Sequence, residues 1–244
     1  KPTESLKDQL KANKEKLKSI AKKVSADEID EMWHGLAMPY DALFAWIEGR
    51  GPKPESNHPA PFRPPMLAHP IDENDFATLA PQDFIAEWKW DGIRVQAVGG
   101  YDQTGAHIAR LYSRSGEDLT ANFPDLVAAL DALDGAIDGE LVIATEERVA
   151  DFATLQKRIN RKKPDATMLT AYPAALIAYD VLLHKGEDVR GMPFHARRAR
   201  LASLVDAMAT PRIRLSEPVL FSDWAELEGK RADPAAHGAA NADV

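Results

Sequence analysis

Lys89 stands in Glu87-Trp88-Lys89-Trp90-Asp91-Gly92-Ile93-Arg94, a lysine on an apolar run that turns at once at a glycine. A lysine so placed is expected to do more than keep the protein in solution. Ile85, Trp88 and Trp90 are expected to hold its stem in a dry pocket, and desolvation beside an arginine favours the uncharged form of an amine, the form that attacks an electrophile. The chemistry suggested is nucleophilic attack on phosphorus. The competing reading is a buried lysine paired with Glu140 or Asp138 for structure alone.

Three further segments follow in order: Ser113-Arg114-Ser115-Gly116-Glu117, Asp138-Gly139-Glu140-Leu141-Val142 and Ala178-Tyr179-Asp180-Val181-Leu182. A Lys-x-Asp-Gly tetrapeptide alone arises by accident in roughly one chain in twenty of this length. The signal lies in the succession of all four. Their residue types suit a nucleotide, since arginine forks match phosphate oxygens, a carboxylate suits Mg²⁺ and an aromatic face suits a purine. Plainer readings stand beside these: Arg114 as an exposed strand-end charge, Tyr179 and Glu140 as members of a packed strand. The seven histidines show no metal-ligand spacing, and no glycine-rich loop precedes a lysine as in a P-loop ATPase.

The elements that must position these residues can be read from pattern. Residues 1–50 read as a helical segment: Leu6, Leu10, Leu17 and Ile20 share a face, and Glu28–Leu36 and Tyr40–Glu48 read as short helices. From 51 to 70 the prolines forbid helix interiors and ladder donors, which predicts an extended linker. Residues 71–244 alternate strands and helices. Phe84–Trp90 and Ile93–Val98 are expected as two strands joined around Asp91-Gly92, followed by a strand at His107–Ser113. Asn122 is expected to cap a helix reaching Leu133, with Pro124 in its first turn. Then come a strand at Ala136–Ala144, a helix at Asp151–Asn160, a strand at Ala174–Leu183, a helix at Pro193–Met208, a strand near Ile213–Phe221 and a helix capped by Asp223. The class is α+β with a mainly antiparallel sheet.

A chain of 244 residues can bury one sizeable core and a small appendage. It has no cysteine, which excludes disulfides and thiolate zinc sites, and without a signal peptide or a long apolar run it reads as cytoplasmic and not membrane-bound. The net charge of -8 argues against a polyanionic partner, but its distribution argues the other way. Lys7, Lys11, Lys14, Lys16, Lys18, Lys22 and Lys23 crowd the start, and Arg158, Arg161, Lys162 and Lys163 form a second basic run. Both could track a phosphate backbone. The first could equally be a solvated helix face.

The four segments in their order resemble the covalent nucleotidyltransferases, the superfamily of ATP-dependent DNA ligases, RNA ligases and capping enzymes. DNA ligases fit best, because Phe62-Arg63-Pro64-Pro65-Met66-Leu67-Ala68, Phe123-Pro124-Asp125-Leu126 and Leu155-Gln156-x-Arg158 are similar to bacterial repair ligases of the B type. The resemblance implies an adenylation domain of the nucleotidyltransferase (ATP-grasp-like) fold, mainly antiparallel sheets flanked by helices, preceded by part of a helical DNA-binding region. It implies Lys89 as the amine that takes AMP from ATP, Asp91 and Gly92 as the turn that aims it, Glu87 and the Trp88 backbone at the adenine edge, and Tyr179 stacked on the base. Arg94 and Arg114 would face ribose and phosphates or the DNA 5′-phosphate, and Glu140 the ribose hydroxyl or Mg²⁺. Arg114, Arg158, Arg161, Lys162 and Lys163 would meet DNA. The partner implied is nicked double-stranded DNA, with a repair nuclease or helicase as a further partner, in a bacterial cytoplasm.

One departure qualifies the resemblance. These ligases carry a strand beginning Glu-Gly, followed by apolar residues and a lysine, and a second lysine-bearing strand. Glu228-Gly229-Lys230 is a poor substitute, lying in the helix after Asp223. The expectation is an adenylation domain incomplete at its C-terminus, slow or inactive by itself. An RNA ligase or capping enzyme, and a non-catalytic nucleic-acid clamp, are the alternatives.

Overall fold

The computed structural model describes residues 24–56, 58–145, 148–234 and 242–243, so the expectations for the lysine-rich start lie outside the described residues. The chain divides into two compact units, Lys1–Pro64 and Pro65–Val244.

In the first unit, α1 (Ala26–His34) begins in a capping box. Ser25 Oγ accepts the Glu28 N–H at 3.1 Å and Glu28 Oε2 accepts the Ser25 N–H at 3.0 Å, so two otherwise unsatisfied donors of the first turn are paired. Helix α2 (Asp41–Ile47) buries Leu43, and Trp33 stacks on Tyr40 with ring centroids 4.5 Å apart. The proline-rich stretch then runs without helix or strand, as its missing N–H donors require.

The second unit opens with two short strands, β1 (Ala86–Glu87) and β2 (Lys89–Trp90). There follow β3 (Ile93–Tyr101), β4 (His107–Ser113), α3 (Pro124–Val127), β5 (Gly135–Ile143), α4 (Phe152–Ile159), α5 (Ala166–Ala171), β6 (Ala174–His184), β7 (Glu187–Asp188), α6 (Phe194–Met208), β8 (Ile213–Leu215), β9 (Pro218–Val219), α7 (Trp224–Ala232) and β10 (Ala242–Asp243). The main sheet has six strands in the order β4-β3-β5-β6-β7, all antiparallel, with β8 parallel beside β6. Its apolar side carries Val95, Ala97, Ile137, Leu141, Leu176 and Ala178, covered by Phe123, Leu126 and Leu130 around α3, Leu155 of α4 and Leu201 and Leu204 of α6. The architecture is α+β and mainly antiparallel, as the pattern predicts. Among the described residues no helix is long and apolar enough to cross a membrane.

Three expectations are corrected. Phe84–Trp90 does not form a hairpin with β3: β1 pairs with β9 and β2 with β10, so the segment splits at Trp88 and leaves the main sheet. Asn122 is not a helix cap. It sits in a 3₁₀ turn (Thr120–Asn122), its amide donates to the Ile159 carbonyl at 2.8 Å, and the N-cap position of α3 falls to Phe123. Arg158 does not belong to a basic run that could track a phosphate backbone, because it is fully buried.

That arginine belongs to a buried polar cluster. Asp125 accepts from Arg158 Nη2 at 2.7 Å, from Arg212 Nη1 at 3.2 Å and from the Ala174 N–H at 3.0 Å, tying α3, α4, the start of β6 and the approach to β8 together. Arg158 also donates to the carbonyls of Tyr172 and Asn122. Removing one member of a buried ion pair strands its partner's charge in low dielectric. Asp125→Ala is therefore expected to lower the free energy of unfolding by about 3–5 kcal/mol, read as a shift of the urea midpoint at constant slope.

Candidate active site

The polar side of the sheet is built by register. Arg94 lies opposite Glu140 and Gln96 opposite Asp138 on the β3–β5 pair, so all four side chains leave the same face while their neighbours Val95 and Ile137 enter the core. Arg94 reaches diagonally, donating from Nη2 to Asp138 at 2.6 Å and to the Met66 carbonyl at 2.8 Å. Gln96 donates to the other Asp138 oxygen at 3.1 Å. Burial pushes the Asp138 carboxyl up against the pull of Arg94 and Gln96.

Tyr179 enters this face through an irregularity. On the β5–β6 pair Asp138 opposes Asp180 and Gly139 opposes Ala178, which leaves Tyr179 as the extra residue of a bulge. A bulge re-aims a side chain, and here the Arg94 guanidinium lies 5.8 Å from the centre of the Tyr179 ring. Burial pushes the Tyr179 hydroxyl upward, so it stays protonated at any ordinary pH. The next residue, Asp180, takes a two-pronged contact from Arg197 of α6, at 2.8 and 3.0 Å.

Two glycines let backbones approach this closely. A Cβ on Gly92 would lie 2.4 Å from the Leu141 carbonyl and 2.9 Å from Glu140 Cγ, and one on Gly139 would lie 2.7 Å from the Ile177 carbonyl. Neither distance is tolerable for a real side chain. Gly92 thus brings the Lys89-Trp90-Asp91 turn down onto β5, where the Gly92 N–H meets the Glu140 carboxylate.

Glu140 is the electrostatic centre of the site. Desolvation lifts its carboxyl to about 7, against the opposing pull of Arg94, the Gly92 N–H and Lys89. Asp91 pushes in the same upward direction as burial. Lys89, Asp91 and Arg94 are therefore each near enough to act on the Glu140 carboxyl, and the Tyr179 ring lies beside Arg94.

The expectation of a dry pocket around Lys89 is corrected. Lys89 is exposed, and so is Ile85. The reason is the pleat: Lys89 and Trp90 alternate across β2, and Trp90 packs on the apolar patch of Val142, Ala144, Ala175 and Ile177, so the lysine takes the open side. Trp88 is half-buried where β1 and β2 part.

Glu87 is held from directions the sequence did not advertise. It accepts from Arg198 Nη1 of α6 at 3.1 Å, and Arg198 Nη2 donates to the Ser216 carbonyl. Desolvation raises the Glu87 carboxyl, while Ser216 and Arg198 lower it. Consecutive arginines in a helix ordinarily read as a solvated face, so only a fold-level clue, their position opposite two acidic strand residues, could have singled them out.

Arg114 lies exposed in the turn after β4 and shares with Arg94 the lining of an open cavity of about 690 Å³, together with Ser113, Ser115 and Glu117. Lys162 lines a second, adjoining cavity of about 860 Å³ with Arg110 and Asn160. Arg161 and Lys163 are exposed. The place of Arg158 among DNA contacts is corrected by its burial, since its guanidinium is committed to Asp125, Tyr172 and Asn122.

Among the described residues no group of three or more His, Cys, Asp or Glu side chains could hold a metal by itself. Mg²⁺ needs only one or two carboxylates when substrate phosphates and water complete its shell. Glu140, with Asp91 beside it, fits that requirement; Asp138 does not, its oxygens being taken by Arg94 and Gln96.

Comparison with known proteins places these residues in context. The family model described as "ATP dependent DNA ligase domain" matches residues 65–230. A "Probable DNA ligase" of Koribacter versatilis is 34% identical over 163 residues, covering 66% of this chain and 27% of that protein. "DNA ligase C" of Mycobacterium tuberculosis is 39% identical over 148 residues, covering 59% of this chain and 37% of that protein. A solved structure described as mycobacterial DNA ligase D complexed with ATP and MES is 28% identical, covers 63% of this chain and 45% of that one, and has a TM-score of 0.48. The chain thus spans well under half the length of these curated relatives.

Proposed function

This chain belongs to the ATP-dependent DNA ligase domain family, and from that premise we propose that it seals 5′-phosphorylated nicks in double-stranded DNA through an AMP adduct on Lys89. The observation that supports the reading is that Lys89, Arg94 and Asp91 all act on the Glu140 carboxyl, with the Tyr179 ring beside Arg94. In the first step the unprotonated Lys89 Nζ forms a bond to the α-phosphorus of ATP as the bond to pyrophosphate breaks. In the second, an oxygen of the DNA 5′-phosphate attacks that phosphorus and the P–N bond breaks. In the third, the nick's 3′-hydroxyl attacks the activated 5′-phosphate and AMP leaves.

The residues divide these tasks by chemistry. Glu87 and the Trp88 backbone read the adenine edge, and Tyr179 offers its face to the base. The exposure of Lys89 suits an amine that must meet a large substrate and then a DNA end. Arg94 is braced by Asp138, so its charge is fixed beside Glu140 and costs no reorganisation during the reaction. Arg114 is the freer of the two arginines, suited to the 5′-phosphate. Arg161, Lys162 and Lys163 meet the duplex backbone. Mg²⁺, held by Glu140 with Asp91, would supply neutralisation of charge on the transferring phosphoryl group. Asp91 with Gly92 sets the turn that aims Lys89.

The setting proposed is DNA repair in the bacterial cytoplasm, beside a repair nuclease or helicase. Sealing assays test the substrate: a ligation-competent protein containing these residues should close an all-DNA nick at least about tenfold faster than one with RNA on both sides of the break, the margin that one lost or mismatched hydrogen bond gives. Equal or reversed rates would favour the RNA ligase reading.

A further inference from the structure

Helix α6 presents two arginines in succession to the site. Arg197 grips Asp180, the residue after Tyr179, and Arg198 grips Glu87. Both are largely buried: the Arg198 side chain is 17% exposed and that of Glu87 24%. Arg198 does more than neutralise a charge, because its second Nη donates to the Ser216 carbonyl and so joins three segments, β1, α6 and the link between β8 and β9. The backbone pairing of β1 with β9 closes the same corner, Glu87 lying opposite Pro218.

We propose that Arg198 sets the base selectivity of the site: anchored by one nitrogen on the Ser216 carbonyl and donating from the other to Glu87, it keeps that side chain a hydrogen-bond acceptor, which selects a base whose edge donates there. This rests on the reading of Glu87 as a nucleotide contact. An ionised carboxylate accepts only, at about four lone-pair positions, so the hydrogen bond from Arg198 Nη1 leaves room for a further donor. Adenine's exocyclic amine is such a donor. Guanine places a carbonyl oxygen at the equivalent position, where it would face the carboxylate oxygen without a proton between them.

Removing Arg198 changes this in two ways. Glu87 loses the hydrogen bond that fixes its orientation. It also keeps the desolvation and the nearby negative charge of Asp180, both of which favour its protonated form, and loses a cation that opposes them. A mobile carboxyl shifted toward its protonated form can donate as well as accept, and the distinction between the two purines weakens.

The test uses quenching of Trp88 and Trp90 fluorescence to titrate ATP and GTP against the 244-residue chain, wild type, Arg198→Ala and Arg198→Lys. Wild type is expected to prefer ATP. Arg198→Ala should lower the ATP-over-GTP affinity ratio by at least about tenfold, the loss of one charge-assisted hydrogen bond. Arg198→Lys should lower it several-fold, because a point charge cannot serve Glu87 and the Ser216 carbonyl together. A fall of both affinities by the same factor, with the ratio unchanged, would make Arg198 merely structural and overturn the proposal. If circular dichroism shows Arg198→Ala unfolded, Arg198→Lys decides alone, a wild-type ratio being the contrary result. Should wild type bind neither nucleotide, the reading of Glu87 itself fails and takes this inference with it; a wild-type preference for ATP that survives both substitutions defeats this inference only.

Discussion

Lys89→Ala is expected to abolish transfer of AMP to the protein, by at least about 10³-fold, since removal of a covalent nucleophile leaves only binding and electrostatic contributions behind. The measurement is retention of radioactivity from α-labelled ATP after denaturation, in a ligation-competent protein that contains these residues. Lys89→Arg should be equally inactive. Arginine keeps the positive charge near Glu140 but has no unprotonated nitrogen to offer, so the pair of variants separates nucleophile from counter-charge. Partial activity in Lys89→Arg with none in Lys89→Ala would assign Lys89 an electrostatic role instead. Both variants should fold normally, because Lys89 is exposed and fills no part of the core.

The second large effect lies at Glu140, where function and stability are expected to move in opposite directions. Glu140→Gln should slow adenylation by about 10²–10³-fold, the usual cost of losing a preorganised charge in an active site. In wild type the rate should rise with pH as the carboxyl ionises around 7, and this rise should vanish in the variant. Stability runs the other way. A carboxyl whose folded value is raised favours the folded state fully below its unfolded value near 4.5, and that contribution is lost as pH climbs through about 7. At pH 8 wild type therefore carries a desolvated charge that Gln does not, and Glu140→Gln should be the more stable protein by on the order of 1 kcal/mol after allowance for solvent screening. Below pH 4.5 the difference should disappear. Chemical denaturation at the two pH values reads the sign directly.

What the sequence disclosed, and what it hid, follows the range of the interactions concerned. Local signals were legible. Asp223 caps its helix as expected, accepting from the Glu226 N–H at 2.8 Å, and Asp151, expected as the first residue of its helix, caps it by accepting from the Thr154 N–H at 2.9 Å, because a cap is settled within three residues. The glycines of Asp91-Gly92 and Asp138-Gly139 stood out beside charged residues, and both prove to be points where no Cβ fits. The same kind of signal was passed over at Asp165, which caps α5 by accepting from Met168 at 2.8 Å.

Long-range signals were not legible. Arg158 looked like part of a basic run because its partner Asp125 lies 33 residues earlier. Phe84–Trp90 looked like one strand because β-branched and aromatic content does not say which partners a strand will find, and here they come from residues 218–219 and 242–243. The same holds within the site. The resemblance implies Arg94 facing ribose and phosphates or the DNA 5′-phosphate, but does not disclose its anchor on Asp138, 44 residues away. Arg198 gave no signal at all, since Glu87 lies 111 residues from it. The exposure of Lys89 is not legible either, because the alternation of a two-residue strand turns on which side Trp90 finds its patch.

Mapping the AMP adduct by mass spectrometry tests the central claim most directly. A ligation-competent protein containing these residues, incubated with ATP and magnesium and digested under alkaline conditions that preserve a phosphoramidate, is predicted to carry AMP on the peptide containing Lys89 and on no other. An adduct on a different side chain, or a protein that seals nicks while Lys89 stays unmodified, would contradict the account.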